Sequence, residues 1–153
     1  MATQTLTLRK STSIDISAID ALLSRSYRKL LKGSYPPSLQ VTAIPLISRA
    51  NPSLIISGTY FVTEDTDNLI LGVGGWTRSI RGPGIADVRH LATDPDYTRS
   101  GVARRTMGGI IENAKAAGAR QLDCLATRNA VSFYEAMGFE ISRNVTISLR
   151  PGI

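Results

Sequence analysis

The chain has almost nothing with which to build a disulfide or a metal centre: one cysteine, Cys124, and one histidine, His90, in 153 residues. A lone cysteine excludes an internal disulfide, and one residue of each kind falls short of a structural zinc ligand set. Long apolar runs are missing too. The longest, residues 69–76, is interrupted by glycines and far below the roughly 20 residues that span a bilayer, and the opening MATQTLTLRKS has no signal-peptide core. These absences predict a soluble, cytoplasmic protein with neither a metal nor a membrane partner. No segment is of low complexity, and the length suffices for one buried core, so a single domain over residues 1–153 is expected.

Acid is the scarcer charge, with 12 Asp and Glu against 18 Lys and Arg, a net +6. Such a surplus suits an anionic ligand or a nucleic acid. The basic residues are scattered from Arg9 to Arg150 and pair only at Arg9-Lys10, Arg28-Lys29 and Arg104-Arg105, so there is no stripe or tail. That footprint disfavours a nucleic-acid-binding module.

Apolar spacing orders the chain. Residues 5–9 (TLTLR) alternate as a strand, and residues 14–31 carry Ile16, Ile19, Leu22, Leu23, Leu30 and Leu31 at helical steps around a polar face. After Gly33-Ser34-Tyr35-Pro36-Pro37 a shorter helix is expected over 38–49, broken by Pro45. Residues 58–64 and 68–78 read as a hairpin joined by Asp65-Thr66-Asp67. Gly72, Gly74 and Gly75 weaken its second strand, which makes sense where a close neighbour or a bulge needs them. Trp76 shares a face with Gly72 and Gly74 and is expected in the core. A strand over 85–93, a helix over 101–118, a strand over 120–126, a short helix over 129–137 and one or two strands over 139–149 complete the chain. The order β-α-α-β-β-β-α-β-α-β predicts an α+β domain: a single mixed, mostly antiparallel sheet flanked by about four helices.

Residues 85–105, IADVRHLATDPDYTRSGVARR, organise the rest, because strand, polar turn and helix start follow one another there. A helix N-terminus leaves backbone NH groups unpaired and carries partial positive charge, so a glycine at that point admits an anion closely. Arg99, Arg104 and Arg105 add charge nearby. The phosphate-loop signature with Gly-Lys-Ser/Thr is absent, and GVGG at 72–75 is no dinucleotide fingerprint because a strand continues through it. With His90 as sole histidine, nucleophilic hydrolase arrangements are weakly supported.

LATDPDYTRSGVARR, followed further on by NAVSFYEAMGFE, resembles the GNAT superfamily of acetyl-CoA-dependent N-acetyltransferases, and the order of elements is similar over the whole chain. The family's Gln/Arg-x-x-Gly-x-Gly/Ala motif falls on Thr98-Arg99-Ser100-Gly101-Val102-Ala103, with Thr98 departing from the pattern. The resemblance implies an acyltransferase that uses acetyl-CoA as co-substrate, without a metal, and moves its acetyl group directly to an amine of a small molecule, peptide or protein. It implies pyrophosphate binding along Arg99, Ser100, Gly101, Val102, Ala103 and Arg104, and contacts from Leu91, Ala92 and Thr93 to the pantetheine arm. One of those strand amides would donate to the thioester oxygen. Asn129 would touch the cofactor arm, and Tyr134 would act at the sulfur. A non-catalytic acyl-CoA-binding relative is the alternative, and a homodimer is left open.

Strand alternation places Ile85, Asp87, Arg89, Leu91 and Thr93 on one face and Ala86, Val88, His90 and Ala92 on the other. This puts Asp87 on the face of Leu91 and Thr93 and His90 packed inside; the resemblance, in which several family members place an acidic or imidazole base at the position matching Asp87, implies Asp87 as the catalytic residue, an Asp87/Arg89 ion pair being the plain alternative. A carboxylate of pKa about 3.9 is a poor direct base for an ammonium near 10.4, so Asp87 is expected to hold the amine or work through water.

Overall fold

The computed structural model describes residues 5–31, 49–98, 100–124 and 131–140. Its elements are β1 (Thr7–Lys10), a 3-10 turn (Ser13–Asp15), α1 (Ile16–Leu31), α2 (Pro52–Ile55), β2 (Tyr60–Glu64), β3 (Ile70–Arg78), β4 (Ile85–Thr93), a second 3-10 turn (Pro95–Tyr97), α3 (Val102–Ala116), β5 (Gln121–Asp123) and α4 (Val131–Ala136). The strands form one sheet in the order β1-β2-β3-β4-β5, antiparallel except for the parallel pair β4 and β5. This is the mixed α+β architecture expected. The helix expected over 38–49 and the strands expected over 139–149 lie almost wholly outside the described residues. α2 is an element the apolar spacing missed; Asn51 Oδ1 accepts from the Leu54 amide at 3.2 Å and Pro52 opens the turn, a cap-and-proline start. Among the described residues no helix is long and apolar enough to cross a membrane.

Two apolar layers hold the sheet. On one face Ile19, Leu22 and Leu23 of α1 meet Tyr60, Val62, Val73 and Ala92, with Leu54 and Ile55 of α2 beside them. On the other, Met107, Ile110 and Ala114 of α3 meet Phe61, Trp76, Ala86 and Tyr134. Each fully buried aliphatic side chain contributes roughly 1.5–3 kcal/mol relative to exposure. At the sheet edge the Arg9 guanidinium grips both oxygens of Asp15 at 2.9 Å and reaches Glu64 Oε1 at 3.3 Å, fixing the start of α1 to β1 and β2.

α3 lies directly on β3 because that strand lacks side chains beneath it. A Cβ on Gly72 would sit 2.5 Å from Val102 Cγ1 and 2.9 Å from Thr106 Oγ1, and one on Gly74 would sit 2.7 Å from Leu91 Cδ1. Trp76 shares this face as expected and is a core tryptophan, its Nε1 donating to Asn113 Oδ1 at 2.8 Å. Thr106, fully buried, shares a 2.7 Å hydrogen bond with Thr63 and donates to the Val102 carbonyl at 3.0 Å, so no polar cost is left in this layer.

β4 departs from plain alternation. Its pairing with β3 runs Trp76 to Val88 and Gly75 to Arg89, then resumes at Val73 to Ala92, so Gly74 faces two residues, His90 and Leu91. His90 takes φ +48 at this bulge. One extra residue reverses the sides of everything after it. Leu91 therefore joins Ala86 and Val88 on the α3 face, while Ala92 packs with the α1 cluster. The expected common face of Asp87 and Leu91 is thus overturned, as is the grouping of Ala92 with Ala86 and Val88.

Gly72→Ala is expected to destabilise by about 1–3 kcal/mol, because the added carbon overpacks the α3 contact. Gly108→Ala, in the same helix but with nothing within 4 Å of the new carbon, is expected to stabilise by about 0.5–1 kcal/mol. Calorimetric melting of the two variants reads opposite signs if α3 rests on the β3 backbone.

Candidate functional site

The loop between β4 and α3 is built to hold the helix start in place. The Asp94 amide donates to Leu71 O at 2.7 Å, and its Oδ1 accepts from the Asp96 amide at 3.0 Å. Its other oxygen takes a hydrogen bond from Arg25 of α1, and the Ser100 hydroxyl donates to Tyr97 O. At the end of this loop Gly101 adopts φ +88 and ψ −1, a left-handed conformation costly for other residues, and no side chain caps α3. The first helical hydrogen bond at this terminus runs from the Arg105 amide to Gly101 O at 3.0 Å. The amides of Val102, Ala103 and Arg104 precede it and are the open donors of the terminus. Arg104 and Arg105 are exposed on this first turn. Arg99 lies outside the described residues, as does Asn129.

Beside this terminus β4 and β5 part. Their parallel ladder has three rungs, Ile85 to Gln121, Ala86 to Leu122 and Asp87 to Asp123. Because Asp94 bonds Leu71, the alternation of an antiparallel ladder gives Ala92 the bonded position opposite Val73 and turns the amides of Leu91 and Thr93 away from β3. Those two amides face the side on which β4 has no described ladder partner. The Tyr60 hydroxyl donates to His90 O at 2.9 Å, and burial holds this phenol well above 10 and so in its donor form. That bond pins the peptide unit whose NH belongs to Leu91.

The last rung brings Asp87 and Asp123 together. Arg81, from the β3–β4 turn, bridges them, its Nη2 lying 2.6 Å from Asp87 Oδ1 and 2.5 Å from Asp123 Oδ2. Asp87 therefore pairs with Arg81; Arg89 instead donates to Thr77 Oγ1 at 3.2 Å. Residue spacing gave no sign of Arg81 or Asp123, since the bridge joins a turn to two strands distant in sequence.

Cys124 follows Asp123 and packs in the same apolar cluster as Tyr134. Tyr134 is buried between Phe133 and Phe139, edge-on to each at ring distances of 5.4 and 5.3 Å. Burial, reinforced by Cys124, pushes its phenol well above 10, and burial pushes the Cys124 thiol up to about 11. Both stay protonated at neutral pH, so the pair can donate hydrogen bonds where β4 and β5 separate.

His90 stands apart. Its Nδ1 is buried without a hydrogen-bond partner, alone in this among the side-chain atoms of the described residues, and an orphaned polar atom costs about 1–3 kcal/mol. Burial pushes its imidazole below 6.5, helped by the neighbouring Arg89 cation. Spacing placed His90 among small apolar residues, and the left-handed bulge was the missing signal.

Open helix amides next to an open strand edge suit a long ligand with an anionic end and an amide-bearing arm. A family model described as an acetyltransferase (GNAT) domain matches residues 57–141. No curated protein matches the chain significantly. Among solved structures, a GCN5-related N-acetyltransferase from Rhodopseudomonas palustris superposes with a TM-score of 0.79 at 23% identity, covering 99% of this chain and 91% of its own. The PaiA N-acetyltransferase of Thermoplasma acidophilum, solved with coenzyme A, gives 0.77 at 14%, covering 92% and 94%. Glucosamine-6-phosphate N-acetyltransferase of Arabidopsis thaliana gives 0.64 at 17%, covering 95% and 97%. At these identities the superpositions speak for the fold, and the family model, matched over more than half of the sequence, decides membership: the chain belongs to the GNAT acetyltransferases.

Proposed function

We propose that this protein transfers the acetyl group of acetyl-CoA directly to the nitrogen of an amine acceptor. The observation that carries the reading is the uncapped start of α3, led by left-handed Gly101, beside the end of β4 that has no ladder partner on its β5 side among the described residues. The Thermoplasma relative holds coenzyme A, which supports the same ligand here. Pyrophosphate is assigned to the amides of Gly101, Val102, Ala103 and Arg104, with Ser100 closing the loop before them and Arg99 and Arg104 adding charge. No cap competes for these donors, and a Cβ at Gly101 would meet nothing within 4 Å, so the approach is open.

The pantetheine arm is assigned to the edge formed by Leu91, Ala92 and Thr93, with Asn129 as a further contact. Of the three strand residues, Leu91 and Thr93 turn their amides outward, and we assign the oxyanion to the Leu91 NH. A preorganised donor of this kind stabilises charge that develops only in the transition state. Tyr134 is assigned to the departing sulfur. Asp87 is assigned to holding the acceptor ammonium, since its hydrogen bond to Arg81 engages Oδ1. Acetyl-CoA supplies an activated thioester, so no covalent intermediate on the protein is needed.

Acetyl-CoA at a hundred times its Kd is expected to stabilise the fold by about 2.7 kcal/mol. For a chain of this length that is a Tm rise of roughly 5–10 °C. Gly101→Glu is expected to lose the rise, because it sets a negative charge at the amide cluster. Gly101→Ala separates backbone strain from charge and should keep part of the rise. An undiminished rise in Gly101→Glu contradicts the pyrophosphate assignment. Thiol released in an acceptor screen distinguishes an enzyme from a protein that only binds acyl-CoA.

Tyr134→Phe keeps the ring between Phe133 and Phe139 and removes only the hydroxyl. The phenol is a weaker acid than a thiol, so it serves the leaving sulfur chiefly by hydrogen bonding. With an active acceptor, kcat is expected to fall on the order of 10²-fold while acetyl-CoA affinity hardly changes. Wild-type turnover in that variant would leave Tyr134 a packing residue.

A further inference from the structure

We infer that His90, through Nδ1, is the base that takes the proton from the acceptor amine. This rests on the acetyl-transfer reading and assigns within it the step that Asp87 performs poorly. Three features of the fold converge on the residue. It occupies the bulge where β4 runs on past its last rung with β5, and its own peptide unit carries the outward-facing Leu91 amide. A base here stands one residue from the donor assigned to the thioester oxygen. Secondly, Nδ1 is buried and unpaired among the described residues, whereas Asp87 and Asp123 are both tied to Arg81. A buried polar atom without a partner is rare in a native fold and calls for a functional explanation. Thirdly, a histidine held at φ +48 is an uncommon backbone state, and Tyr60 pins its carbonyl at 2.9 Å.

Arg89 of its own strand is the charge acting on the imidazole, and Tyr60 of β2 holds the residue's carbonyl. On α1, which packs against β4, Tyr27 lies against the Tyr60 cluster and Arg25 is paired with Asp94. No carboxylate among these holds the ring in its cationic form, and burial with Arg89 lowers its pKa, so at neutral pH the ring is a free base. The acceptor ammonium gives one proton to Nδ1, and the neutral amine uses its lone pair to form the new C–N bond. The C–S bond breaks with its electron pair on sulfur, the nitrogen's remaining extra proton passes to that sulfur, and the imidazolium returns its proton to water.

His90→Asn tests this, because asparagine tolerates left-handed backbone and its Oδ1 reproduces the hydrogen-bonding position of Nδ1 without its basicity. With an acceptor identified by thiol release, the variant is expected to bind acetyl-CoA with the wild-type thermal shift and to lose about 10²-fold in kcat. The acid limb of the wild-type kcat profile, lying below pH 6.5, should vanish with it. Imidazole added to His90→Gly, which relaxes the backbone and opens the site, should restore turnover. As the chain's only histidine, His90 also gives one unambiguous imidazole signal by NMR, expected to titrate below 6.5 and to move when acetyl-CoA binds. Turnover of His90→Asn within about threefold of wild type, with the acid limb intact, overturns the assignment alone. Absence of thiol release from the wild type overturns the transfer reading and the base with it.

Discussion

One extra residue in β4 governs what this sheet can present. Up to Arg89 the strand is paired with β3 in one register, and from Ala92 in another. A strand in plain alternation would give its outward amides at even-numbered positions throughout, continuing those that bond β5 at Ala86 and Val88. The slip at His90 moves them to Leu91 and Thr93, past the point where β5 is paired, and brings Leu91 under α3. The fold thereby keeps a packed central strand and frees donors on its edge, two demands that a regular ladder sets against each other. Tyr60 stabilises the slip from β2, two strands away, with its hydroxyl on the bulged carbonyl.

The second demand is placement of the α3 N-terminus. Gly72 and Gly74 bring the helix against β3, and Asp94, held by the Leu71 carbonyl and Arg25, fixes the loop that leads into it. On the reading proposed above, helix and strand amides are the chief donors to the ligand, so Thr98 at the head of the family motif is compatible with the site, because those donors are backbone groups positioned by packing.

The elements and their order along the chain were legible because burial writes itself into spacing: the α1 stripe of Ile19, Leu22 and Leu23, the hairpin of β2 and β3, and the helical run that starts at Gly101 all appear where the sequence pattern put them. The need for glycine at 72 and 74 was legible as a cost that only a close neighbour justifies. The sides of β4 beyond Arg89 were not legible, because a bulge at a histidine leaves no compositional mark where a glycine would have. Arg81, Asp123 and the Tyr60 contact were invisible for another reason. Each joins positions far apart in sequence through geometry that only the assembled sheet defines. α2 was announced by Asn51-Pro52 yet is too short for periodicity to register. Arg99 and Asn129, expected at the site, fall outside the described residues and stand on the family resemblance alone.

The central claim is that backbone amides of two adjoining elements receive the acyl-CoA. Residue-resolved hydrogen exchange with and without acetyl-CoA tests it most directly. The account predicts slowed exchange at the amides of Leu91, Thr93, Val102, Ala103 and Arg104, with Ala92, already committed to the β3 ladder, largely unchanged. Stabilisation of the whole fold by acetyl-CoA with no added protection at those five amides would contradict it.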